Sequence, residues 1–475
     1  MEEKTIIDAP NSSEAGHNQI KKGDKRTIRG WVMYDWANSV YNLVISSAIF
    51  PIFYDNVTTN AFKAKYFHET DPEVLKTLTL PKDVVVTVDF FGWEVANSAL
   101  MSFVLAASFL MVSFLSPFLS GIADYLGNKK RFLQFFCYLG AFSCMTLVFF
   151  EPERIELGLL SLFLASIGFW NSLVFYNAYL PEIAEPKDHD KISARGFSMG
   201  YVGSMILLII CLVLIKVPLF GSSPIPARFC FVLVGIWWIG FSQFTYRRLP
   251  NTSSGRPKEK GYIWKGFKEL RKVFQEFRHT YRLKRYLVAF FFFNTGVQTV
   301  MLMATFFAKK EIMWPVDPVT GKSDDSGLII AILLIQLLGA AGAFIMSRLS
   351  GKIGNIKTLG VSLVIWIGVC AAAFVIETPF QFYLLASTVG LVMGGVQAIA
   401  RSTYSKFLPE TEDHASYFSF YDATEKIGIV TGTLFFGVME IATGSIRYSV
   451  VAVAFFFIMG MLMLLRVPKN ERAIG

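Results

Sequence analysis

Eleven stretches of this chain pass 18 or more residues without an Asp, Glu, Lys or Arg, and that feature limits its folds more than any other. They lie at 36–54, 95–123, 132–150, 158–181, 196–215 and 229–246, then at 286–308, 327–347, 358–376, 378–400 and 448–465. About 20 apolar residues in a helix cross the hydrocarbon of a bilayer, where every backbone N–H and C=O must be satisfied internally. A twelfth run at 427–439 is short by itself. It reaches spanning length if its helix begins near Tyr417 and carries Asp422, Glu425 and Lys426 inside. A composition of 53% hydrophobic and 17% charged residues agrees. The expected fold class is an all-α polytopic membrane protein with 12 transmembrane helices.

The chain also repeats itself. Ser120, Gly127, Asn128 and Lys130 recur in register as Ser347, Gly354, Asn355 and Lys357, and Leu180-Pro181-Glu182 recurs as Leu408-Pro409-Glu410. Each copy of the first set sits in a short polar turn between long uncharged runs. Six spans in each half is the expected division, giving two pseudo-symmetric six-helix bundles, a construction typical of secondary transporters. The expected segments are a tail at 1–29, bundles at 30–246 and 285–466, a linker at 247–284 and a tail at 467–475.

Loop charge sets the expected orientation. Lys and Arg number 33 in the two ends and the loops sharing their side, against 11 in the alternate loops. The positive-inside rule therefore expects both termini in the cytoplasm. The net charge of +9 reports this topology and anionic headgroups; no aromatic-interleaved basic patch suggests nucleic acid. Residues 1–29 lack a signal-peptide core and cleavage site, so the first span reads as an uncleaved anchor. The five cysteines all fall in expected spans at unrelated spacings and read as small buried apolar residues.

Two segments between spans are long. In 56–92, Val84 to Val88 form a β-branched run suited to a short strand. In the linker, Trp264, Phe267, Leu270, Phe274, Phe277 and Tyr281 recur at helical spacing, with Lys265, Lys268, Arg271, Lys272 and Arg278 on other faces. This fits a basic amphipathic helix in the inner headgroup region, and equally a helix that tethers the two bundles.

The turn at 120–131 resembles the signature loop of the major facilitator superfamily, Gly-x-Leu-Ala-Asp-x-x-Gly-Arg-Lys. Asp124 and Gly127 match it, and Ser120 replaces the first glycine. The resemblance implies that Asp124 helps lock an inner gate, accepting N–H bonds and a basic partner at the mouth of an adjoining helix while the lysines stay at the phosphates. Glu182 and Arg195 are expected to complete a salt bridge with Asp124. The second-half copy has Gly351 where the Asp would be, so its lock is expected to be weaker or differently made. Tyr34-Asp35-Trp36-Ala37-Asn38-Ser39, Phe175 to Glu182, Ser193-Ala194-Arg195-Gly196-Phe197 and Gln397 to Ser402 are similar to the vacuole-effluxer-like branch of that superfamily. In place of an Asp-Gly pair in the seventh span stands Asn294-Thr295-Gly296. The branch occurs in fungal vacuoles and in bacteria. It implies export of a neutral amino acid here, from a bacterial inner membrane.

Ionisable and polar groups within spans carry the chemistry, because hydrocarbon makes them costly. Asp35, Asn38 and Asn42 share one face of the first span, Asn294 and Gln298 one face of the seventh, and Gln397 and Arg401 one face of the tenth. Asp422, Glu425 and Lys426 lie in the eleventh. These ten are the candidate lining of a substrate and proton cavity. Asp35 is favoured as a titrating or ammonium-binding acid, having no base on its own helix. Asp422–Lys426 reads equally as a charge-cancelling pair, and Arg401 as a gate or packing residue. Acids and bases together suit a zwitterion such as an α-amino acid, with a proton as coupling ion. The alternatives are a permease for a sugar, drug or peptide fragment, and a membrane sensor that keeps the fold without turnover. No nucleotide loop, metal cluster or catalytic constellation is found, so neither cofactor nor enzyme activity is expected, and the expected state is a monomer. A cysteine placed at Ser253 is expected to react with a membrane-impermeant maleimide only after cells are permeabilised; labelling of intact cells reverses the topology.

Overall fold

A computed structural model describes residues 21–69, 71, 74–75, 78, 80–81, 84–216, 225–251, 262–315 and 326–469. Ser253, most of the expected N-terminal tail and the end of the C-terminal tail lie outside these residues. Among the described residues, twelve helical stretches are long and apolar enough to cross a membrane. In chain order they are α1 (Lys25–Phe67), α2 (Asn97–Leu126), α3 (Lys129–Phe149), α4 (Pro152–Ile183), α5 (Pro186–Lys216) and α6 (Pro226–Tyr246). The second bundle holds α7 (Tyr281–Glu311), α8 (Gly327–Ile353), α9 (Asn355–Ala373), α10 (Pro379–Phe407), α11 (His414–Thr443) and α12 (Ile446–Leu465). An even number of spans leaves both chain ends on one side of the molecule, the terminal face.

Most helices outrun their uncharged cores. The first spans Lys25–Phe67 because Asp24 caps its start, accepting from the Thr27 N–H at 2.8 Å. At its far end Tyr54 donates to the Asn97 carbonyl at 2.9 Å, and Asn97 in turn donates to Asp55 and Thr58. About the first third of the expected 56–92 loop is therefore helix, its polar side chains held by the start of α2. The β-branched run leads into a hairpin in which β1 (Thr87–Phe90) pairs antiparallel with β2 (Trp93–Ala96). Within α1, Tyr41–Ala48 winds as a π-helix, directly beyond the polar face of Asp35 and Asn38. Single π-bulges concentrate at functional positions.

The duplicated turns are real turns: Gly127 has φ of +64° and Gly354 +86°, a region costly for any side chain with a Cβ. Close helix approach accounts for the other Gly-rich motifs. The bare face of Gly394 on α10 lies on the Gly339 carbonyl of α8, and Gly342 lies on Leu391. All five cysteines are buried and free.

The bundles meet along two seams, α2 and α4 against α11, and α5 against α8 and α10. Among the described residues, the hydrogen bonds that cross these seams run only from the terminal face to the middle of the spans, from Asp124–Ser416 up to Ser204–Gln336. The linker helix Tyr262–His279 packs on α2, where Gly266 lies against Gly121 and Ile122. It also reaches α11 through Phe274 and Phe277 on Phe420. Its Lys272 lies 3.6 Å from Asp413 at the start of α11. Burial and the nearby Glu269 push the Asp413 carboxyl up to about 6 against the pull of Lys272. Gly394→Val is expected to drive α10 off α8 and lower the melting temperature of the purified protein, whereas Gly368→Val, with open space around its Cβ, is expected to leave it unchanged.

Buried charges between the bundles

Three tiers of charge cross the seams. At the terminal face, the amides of Ala415 and Ser416 in the first turn of α11 donate to Asp124, at 3.2 and 2.7 Å. Asp413 occupies the N-cap position of α11 yet makes no side-chain cap bond. The cap is supplied instead by a carboxylate of the other bundle, aimed at the positive end of the helix. Lys129 lies between Asp124, at 3.9 Å, and Glu182, with which it forms a close ion pair. His414 meets the same Glu182 oxygen at 3.0 Å.

The second seam has its own arrangement. Asp190, near the start of α5, accepts from Ser350 at 2.9 Å, Asn355 at 2.8 Å and Ser402 at 2.7 Å, and pairs with Lys406 at 2.7 Å. It draws the duplicated turn at Gly354-Asn355 and the end of α10 onto α5. Where the first half carries its acid in the turn, the second carries it on the facing helix. The acid that the second turn lacks at Gly351 is thus supplied by α5.

One tier deeper, Arg401 of α10 pairs with Asp35 of α1 at 3.0 Å. Its other donors reach the Ser193 carbonyl and hydroxyl, both at 3.0 Å, and the Asn177 amide oxygen at 3.3 Å. Tyr176 donates to Asp35 at 2.8 Å. The guanidinium lies over Phe197, 4.1 Å from the ring centre, and over Trp31 at 4.8 Å. Trp31 is itself stacked on Tyr176 and bonded to its carbonyl. A guanidinium cannot shed its charge, so hydrogen bonds and ring faces replace the water it has lost.

The deepest tier lies on α11. Lys426, with no exposed surface, meets Asp422 at 2.9 Å and Glu425 at 3.4 Å, and its ammonium sits 3.5 Å from the ring centre of Trp170 on α4. Gln298 of α7 donates to Glu425 at 2.7 Å. Ser116 of α2 donates to Asn171 at 2.9 Å beside Asp422. Two carboxylates share one ammonium here.

A family model described as Vacuole effluxer Atg22 like matches residues 23–473. The chain belongs to that family. It is 30% identical over 448 residues to an MFS-type transporter, YxiO, of Bacillus subtilis, covering 93% of this chain and 94% of the relative. It is 24% identical to Autophagy-related protein 22-1 of Aspergillus clavatus, covering 94% and 87%. Among solved structures, the fold is similar to the transporter FucP in its outward conformation and to the proton:xylose symporter XylE, each with a TM-score of 0.65, at 13% and 12% identity. These cover 94% of this chain and 99% and 96% of theirs. The protein is a major facilitator superfamily transporter.

The structure of this Atg22-like transporter brings most of the sequence candidates together and corrects three expectations. The salt bridge expected among Asp124, Glu182 and Arg195 is not formed: Lys129 holds both acids, and among the described residues Arg195 makes no ion pair. Lys129 is 4% exposed and so does not reach the phosphates, because α3 begins at it and turns it inward; Lys130 instead donates to the Leu249 carbonyl. Asp35, with no base on its own helix, gains one from the other bundle. Gln397 accepts from Tyr201 at 2.5 Å, and Asn42 is exposed in the π segment. Residues the sequence reading passed over are Asp190, Tyr176, Trp170 and Lys406, each given its role by a partner more than 30 positions away. Lys129→Met leaves Asp124 and Glu182 buried without their cation and is expected to cost about 3–5 kcal/mol, read as a lower melting temperature. Arg195→Met is expected to leave melting unchanged.

Proposed function

We propose that this transporter exports a neutral amino acid or similar zwitterion by alternating access, driven by a proton, as a monomer with both termini in the cytoplasm. The observation that carries this reading is the surplus carboxylate in the deepest tier. Asp422, Glu425 and Lys426 sum to one negative charge in a site walled by Trp170 and the spans, while Asp35 and Arg401 cancel. Burying net charge is unfavourable, so the site favours taking up one positive charge. Glu425, bonded to Gln298 and only partly enclosed, is the group through which a proton enters and leaves.

Lys426 supplies the positive partner for a solute carboxylate, and the surplus acid a partner for its ammonium. Asn38 and Asn294 add to this: each is buried with its amide Nδ2 lacking any acceptor. Buried polar groups without partners are rare, and a solute oxygen would supply both. Asn38-Ser39 with Asn42, and Asn294-Thr295 with Gln298, repeat one pattern of amides and hydroxyls on the first spans of the two bundles. The effluxer description of the family supports export, and the Lys/Arg excess at the terminal face supports a cytoplasmic face. That side is tied shut from Asp124 to Ser204, and on this reading of its orientation the closed side is the cytoplasmic one.

In proteoliposomes loaded with radiolabelled leucine, a pH gradient is expected to drive net leucine movement. Glu425→Gln should abolish the gradient-driven movement while leucine–leucine exchange persists. Loss of both would make Glu425 a solute ligand, and retention of both would remove it from coupling.

A further inference from the structure

The linker helix has two unlike faces. Gly266 and Val273 are buried against the transporter, with Leu270 and Phe277 partly so. On the opposite face Trp264, Phe267, Lys268, Arg271, Phe274 and Gln275 are all exposed, at spacings that place them on one stripe. Trp264 is 73% exposed. Lys268 and Arg271 form no ion pair among the described residues, although Glu269 and Glu276 lie on the same helix and engage Lys272 instead.

The depth of this face follows from its contacts. Gly121, against which Gly266 packs, is five residues from the end of α2 at Leu126, or about 8 Å at 1.5 Å per residue. Phe420, against which Phe274 and Phe277 pack, is six residues into α11, or about 9 Å. The helix thus lies along the outside of the seam between α2 and α11, one to two turns inside the ends of those spans. That is the level where acyl chains give way to headgroups. Exposed Trp and Phe suit this boundary, and unpaired Lys and Arg between them suit phosphate.

We propose that this face binds anionic phospholipid, and that lipid held there clamps the linker helix across the α2–α11 seam. The clamp bears on the gate because Lys272 and Tyr417 tie the helix to the first turn of α11, the turn whose amides Asp124 caps. Anionic lipid therefore stabilises the state in which the terminal face is closed. A zwitterionic lipid carries no net charge for Lys268 and Arg271 and leaves the helix less firmly seated.

The test uses the purified full-length protein with added palmitoyl-oleoyl phosphatidylglycerol or the matching phosphatidylcholine. Native mass spectrometry is expected to show wild type retaining phosphatidylglycerol in preference to phosphatidylcholine. In Lys268→Gln/Arg271→Gln, retention of phosphatidylglycerol should fall by about tenfold or more, with melting in phosphatidylcholine unchanged. Hydrogen exchange of Ala415 and Ser416 should slow at least about threefold when phosphatidylglycerol is added to wild type, and should not respond in the variant. The charge-reversed Lys268→Glu/Arg271→Glu should retain still less of the anionic lipid. Equal retention of both lipids by wild type, or undiminished phosphatidylglycerol in the variants, overturns the proposal. So does a dimer that these substitutions dissociate, which would assign the face to a second copy of the chain.

Discussion

Arg401 cannot lose its proton and cannot be left bare in hydrocarbon, and the join between the two bundles is organised around that fact. Its guanidinium draws Asp35 and Asn177 from the first bundle, the Ser193 backbone from α5, and three aromatic rings onto one point. Asp35 is held in place in turn by Tyr176. Separating the bundles at this level would strand a cation on one side and an anion on the other, each costly to bury alone. Such a separation becomes feasible only as water or a solute replaces the lost partners. An ion pair of this kind adds little net stability, while removing one of its partners is strongly destabilising.

The locks nearer the terminal face obey the same rule while breaking the symmetry of the duplicated chain. The first half places Asp124 in the last turn of its second span and caps α11 with it. The second half, having Gly351 at the matching place, leaves its turn with amide and hydroxyl donors, and Asp190 comes from the facing helix to accept them. In each case one carboxylate gathers the donors of the opposite bundle beside a lysine, Lys406 pairing with Asp190 and Lys129 shared between Asp124 and Glu182. What is preserved is the need for a satisfied anion at each seam; which strand carries it has been exchanged.

Asp422, Glu425 and Lys426 carry one acid more than they have bases, as Asp124, Glu182 and Lys129 do, but they lie deeper in the spans. Charge is balanced in the Arg401 pair and not in the α11 cluster, so the second is the place where adding a proton or an ammonium relieves a cost. The π segment at Tyr41–Ala48 and the open face of Asn42 lie just beyond the tied part of the cleft, where the two bundles no longer share hydrogen bonds.

The sequence by itself determined the twelve spans and their six-and-six division, because the bilayer accepts only long uncharged helices and a duplicated turn marks the two halves. It also determined which residues are exceptional: Asp35, Arg401, Asp422, Glu425 and Lys426 stand out in uncharged surroundings wherever they point. The Asp422–Lys426 pair was legible at its spacing of four, but partners across the seam were not, since a period of 3.6 residues reports neighbours on one helix and says nothing of a helix from the other bundle. So the pairing of Asp35 with Arg401, the replacement of Arg195 by Lys129 and the arrival of Asp190 at the second turn were decided only by tertiary structure. A charge in a low-dielectric seam takes whichever counter-charge the packing brings within about 4 Å, and packing is a property of the assembled bundles.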